Sequence, residues 1–137
     1  MPLSNAYKLS LMKSEVDFAN DVFKIVLMNN AYVFDQDAHA GLSDISASVL
    51  ADGNGYVTGT LVLVGVTQDD VNDRGEAEFD DFEWTASGGS IGPANGAIIY
   101  DDTHTSDRII GYIDFGSAQT ATDGGTFKIA NVKVRTT

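Results

Sequence analysis

Cysteine is absent from the 137-residue chain, which excludes disulfides, thiolate metal sites and cysteine nucleophiles. Histidine occurs twice, as His39 and His104, so little material exists for imidazole chemistry. No stretch approaches the roughly 18 successive apolar residues of a membrane-spanning helix. Residues Met1 to Tyr7 carry neither a basic leader nor an apolar run of signal-peptide length, so a soluble product made in a cytoplasm is expected. Basic residues are scarce as well: eight Lys and Arg face twenty Asp and Glu, for a net charge of -12.

That charge is unevenly spread. Residues 1–28 balance three lysines against three acids, and residues 29–107 set fifteen acids against Arg74 alone. Residues 108–137 hold four basic groups against Asp114 and Asp123. So acidic a middle repels phosphate backbones, and neither nucleic acid nor membrane is expected as a partner. The near-neutral ends are the better candidates to face a protein partner, which singles out Lys8, Lys13, Lys128, Lys133 and Arg135.

The chain is 43% apolar, with fourteen glycines and two prolines, which suits one domain of short strands joined by many turns. The expected organisation is a single β-sandwich domain over 1–137, with a helix or arm over 1–21 and strands over 22–137. Ser4 to Glu15 has helical spacing, with Leu9, Met12 and Val16 on one stripe and Ser4 as N-cap. Val22 to Met28 is apolar at both parities and predicts a strand covered on both faces, ending at Asn29-Asn30. Residues 31–46 read as loop, with a helical turn at Ser43 to Ile45. After the turn at Ala51 to Gly55, Tyr56 to Val66 predicts one long strand of eleven residues, with Gly59 and Gly65 marking bulges or close backbone approach.

Along 76–84 the apolar parity flips. Ala77 and Phe79 alternate with acids, then Phe82 and Trp84 do so on the opposite parity, so Asp80-Asp81 must hold a bulge or bend. Ser87 to Gly96 reads as a glycine-rich loop. Ala97 to Tyr100 and Arg108 to Phe115 flank the polar connection Asp101 to Asp107, a long hairpin. Thr126 to Val134 predicts the last strand. About six to eight antiparallel strands in a β-sandwich or jelly roll, with a short N-terminal helix, is the architecture these signals predict.

A search for chemistry finds little. A Ser-His-Asp set is open in principle, but no Gly-x-Ser-x-Gly elbow occurs and both histidines sit in polar loops. Glu76 and Glu78, two apart on one strand, read as its wet side rather than as a glycosidase pair. Asp35 to Gly41 resembles the start of a calcium loop, but its glycine is one position late and no glutamate closes it. Asp69, Asp70, Asn72 and Asp73 form a second oxygen-rich cluster, and Asp101, Asp102 and Asp107 a third; acidic turns look the same without an ion. Gly88 to Gly92 lacks the lysine of a phosphate loop. No catalytic set, no metal and no cofactor is expected.

Gly96-Ala97-Ile98-Ile99-Tyr100-Asp101-Asp102-Thr103, followed by Ile110-Gly111-Tyr112-Ile113-Asp114-Phe115-Gly116, resembles a hairpin of small proteins encoded among the head and tail genes of tailed bacteriophages. Asp21-Val22-Phe23-Lys24-Ile25-Val26-Leu27 is similar to that family's early strand. Leu42 to Ser46, Gly55 to Leu61 and Phe79 to Thr85 add further echoes, so that the likeness runs from about Asn5 to Ile129. Ala130 to Arg135 departs from it, where relatives carry a tryptophan-containing strand. The resemblance implies a non-enzymatic virion protein: a decoration (cement) protein outside the head shell, often trimeric, with the major capsid protein as partner. A head-fibre base, a tail component or a carbohydrate-binding sandwich are the alternatives.

Overall fold

In the computed structural model, which describes residues 1–136, the chain opens with the helix α1 (Asn5–Met12) and continues as nine strands. They are β1 (Phe23–Asn29), β2 (Gly59–Thr60), β3 (Leu63–Asp69), β4 (Arg74–Phe79), β5 (Phe82–Thr85), β6 (Ile91–Asp101), β7 (Arg108–Ala121), β8 (Thr126–Ile129) and β9 (Lys133–Arg135). Three antiparallel sheets result, in the orders β2-β1-β6-β7, β3-β4-β9 and β5-β8. The fold is an all-β sandwich with a short N-terminal helix.

β1 sits between β2 and β6, and the absence of a polar parity in its sequence now has its reason. Phe23, Ile25 and Leu27 point into a core shared with Phe79, Trp84, Phe127, Ile129 and Val134 from the other two sheets. Val26 and Met28 point the other way, into a second core with Ile98, Tyr100, Ile109 and Tyr112, roofed by Tyr32, Ile45 and half-buried Phe34 and Leu42. Each aliphatic side chain so enclosed contributes about 1.5–3 kcal/mol. The roof comes from the segment 31–46 that reads as loop; a 3₁₀ turn, Leu42–Asp44, lies within it and a second, Ser46–Ser48, begins at its end.

Ser4 caps α1: its Oγ accepts the Tyr7 N–H at 3.0 Å and donates to the Ile109 carbonyl, tying the helix to β7. Of the predicted apolar stripe only Val16, beyond the end of the helix, reaches the core. Leu9 and Met12 are exposed, whereas Tyr7 and Ser10 are buried. With eight residues the helix has only one contact line, and the large Tyr7 ring sets it.

Three more expectations need correction. Tyr56 to Val66 is not one strand: β2 belongs to the central sheet and β3 to another. The change happens across one peptide, since the Leu61 N–H donates to the Phe23 carbonyl while the Val62 carbonyl accepts the Asp80 N–H. Thr126 to Val134 divides likewise into β8 and β9, because Asn131 takes a positive φ of 55° and its N–H donates to Asp81 Oδ1. Ser87 to Gly96 is not all loop, because β6 already begins at Ile91, with register shifts up to Gly96 absorbing its glycines.

The bend at Asp80-Asp81 is present. It ends β4 and starts β5 with a new partner, and Trp84 becomes buried while Phe82 packs against the core. Gly59 and Gly65 serve as their positions suggest: the Phe82 ring lies where a Gly59 Cβ would be, and the β3–β4 register shifts between Leu63 and Gly65.

Candidate interaction surface

The five basic candidates are not gathered into one patch. Lys8 and Lys13 lie on and just after α1, Lys128 on β8, and Lys133 and Arg135 on β9. Four of them hold carboxylates of their own chain. Lys13 Nζ is 3.2 Å from Glu15, Lys128 Nζ 3.3 Å from Asp81, Lys133 Nζ 3.3 Å from Glu76, and Arg135 Nε 2.7 Å from Glu76. Lys8 Nζ donates to Asn5 Oδ1. A cation already paired at its own surface presents little charge to a partner.

The only two that come together, Lys133 and Arg135, do so through strand register. β4 and β9 place Glu76 opposite Arg135 and Glu78 opposite Lys133, a cross-strand charge ladder. The hydrogen bond from Arg135, with Lys133 adding to it, holds the Glu76 carboxyl below its ordinary range. These carboxylates form the outward side of β4, as their spacing predicts, each beside a cation.

The histidines are bound into local structure. His39 Nδ1 accepts from the Tyr32 hydroxyl at 2.9 Å and from the Asp35 N–H at 3.1 Å, and its ring stacks on Tyr32. His104 Nδ1 accepts the Ser106 N–H, and its Nε2 lies 3.3 Å from Glu15 Oε2. Ser10 Oγ donates to that same Glu15 oxygen at 3.0 Å. Serine, histidine and glutamate thus meet, but both the hydroxyl and the imidazole are spent on the carboxylate and not on each other. The histidine contact, then Lys13 and Ser10, draw the Glu15 carboxyl below its usual range. What the trio does is fasten the chain after α1 to the loop between β6 and β7.

Among the described residues no three His, Asp or Glu side chains are grouped to hold a metal ion. The oxygens that make two of the acidic clusters look like ion loops accept local hydrogen bonds instead. Asp35 Oδ1 takes the Asp37 and Ala38 N–H groups, and Asp69 takes those of Val71 and Asn72 and the Arg74 guanidinium.

Tyr32, Phe34, Asn95, Tyr112 and Asp114 line an open groove of about 500 Å³. All five tyrosines and Trp84 are buried; in the groove Tyr32 meets Tyr112 edge-on and half-buried Phe34 stacks on Tyr112.

The surface that sequence reasoning missed is apolar. Val62, Val64 and Val66 are 60%, 59% and 54% exposed, and Val71, in the turn between β3 and β4, is 91% exposed. Val57 and, on α1, Leu9 and Met12 add to the exposed apolar side chains. β3 pairs with β4 along one side and, among the described residues, with no strand along the other. Valines at 62, 64 and 66 fit a covered strand as well as an open one, so the long strand that Tyr56 to Val66 predicts does not mark this face. No family model, no curated protein and no solved structure matches the chain.

Proposed function

We propose that the chain is a structural subunit of a bacteriophage particle, a decoration protein that binds the outer surface of the head shell as a trimer, with the major capsid protein as its partner. One observation carries the reading: the domain completes two cores and still leaves eight large apolar side chains more than half exposed, five of them valines between positions 57 and 71. Apolar surface left open in this way suits burial against another protein. The phage-like sequence runs give that protein its proposed identity. They coincide with β1 and the β6–β7 hairpin of the central sheet, whereas the exposed valines lie on and around β3 in another sheet.

The test is co-sedimentation with assembled empty shells across a range of salt concentrations. A decoration protein travels with the shells at high copy number. A protein that stays in the supernatant at every salt concentration overturns the reading, and a few copies per particle would move it to the tail or a head fibre.

A further inference from the structure

We propose that the free edge of β3 is a docking strand, which takes up an extended, lysine- or arginine-bearing segment of another protein as an added strand of the β3-β4-β9 sheet. The inference rests on the role proposed above only for the identity of that protein, which would then be the shell subunit.

The fold treats its sheet edges differently. The first part of β7's outer edge is covered by the chain itself: the Ser4 N–H donates to the Ile110 carbonyl, the Tyr112 N–H to the Pro2 carbonyl and the Ile109 N–H to the Ala40 carbonyl. The edge strands β2 and β9 are only two and three residues long. β3 has neither protection. From Gly65 to Asp69 it runs in unbroken register with β4, its other edge meets no strand among the described residues, and it contains neither lysine nor proline. Such an edge presents a row of unpaired N–H and C=O groups, the usual template for strand addition. Val64 and Val66 stand open beside that row to receive apolar side chains.

Charge selects the occupant. Residues 62–81 contain seven acids against Arg74 alone. Two copies of this chain pairing edge to edge would bring those acids together, and like charges set opposite each other on paired strands repel. A basic strand meets the complementary field instead, with Asp70, Asp73 and Asp80 making no ion pair of their own among the described residues.

The experiment is amide hydrogen exchange on the whole chain with three synthetic peptides: alternating valine and lysine, alternating valine and glutamate, and the valine–lysine peptide with alternate backbone nitrogens methylated. The valine–lysine peptide is expected to slow exchange of amides within 64–69 by about tenfold or more, less so as salt rises, and the other two are expected to leave them unchanged. Thr67→Lys, an exposed change in the middle of the edge, is expected to abolish the effect without unfolding the domain. Protection elsewhere, no protection, or equal protection by the glutamate peptide overturns the proposal. So does protection without peptide that grows with protein concentration, which would mean that a second copy covers the edge. If the wild type fails to bind shells yet takes the peptide, the virion role falls and the docking strand stands; if Thr67→Lys still binds shells like the wild type, the reverse holds.

Discussion

Asp101 and Asp21 meet carboxyl to carboxyl where the β6–β7 hairpin joins the chain before β1. Asp101 is fully buried. Its Oδ1 accepts the Thr103 and His104 N–H groups, but no donor reaches its Oδ2 unless a proton is shared with Asp21. Burial, and then the Asp21 carboxyl, push the Asp101 carboxyl up to about 7.

A group that holds its proton more tightly when folded stabilises the fold at low pH, and that stabilisation is lost as pH rises from the unfolded value near 4 through about 7. Asp101→Asn keeps the acceptor and supplies a permanent donor toward Asp21. Urea unfolding at pH 5 and pH 8 should show the variant gaining on the wild type at the higher pH, by about 1–3 kcal/mol, as for a buried polar group given a partner. Equal shifts for both proteins would contradict the shared proton.

Gly96 lies in the middle of β6, and the structure explains why no side chain stands there. A Cβ would collide with the Ile113 carbonyl and the Tyr112 ring on β7, whereas a Cβ on Gly65 would meet nothing. Gly96→Ala should therefore cost about 1–3 kcal/mol in urea unfolding, and Gly65→Ala should change little. Similar losses at the two sites would mean that β6 and β7 are not packed this closely.

Ile99 and Val64 give the contrast between core and open surface. Ile99 is fully buried between β1 and β7, so Ile99→Ala should cost about 2–5 kcal/mol. Val64→Ala should stay within about 0.5 kcal/mol in the isolated protein, and a large loss there would show that the valine is covered in solution.

The sequence by itself determined whatever depends on neighbours along the chain. The two-faced burial of β1, the bend at Asp80-Asp81, the hairpin around Asp101 to Asp107 and the Ser4 cap were all legible, because periodicity and turn chemistry are local. Only the tertiary structure decided which strand pairs with which. The apolar run Leu61 to Val64 continues unbroken while the hydrogen bonds pass to another sheet, so no pattern in Tyr56 to Val66 marks the switch. The same holds for the surface. Lys133 and Arg135 become a ladder with Glu76 and Glu78 only through the β4–β9 register, and the valines of β3 become surface only because no strand follows on that edge. Pairing and exposure are set by residues far away in sequence, and a backbone edge left open leaves no mark in the side chains that flank it.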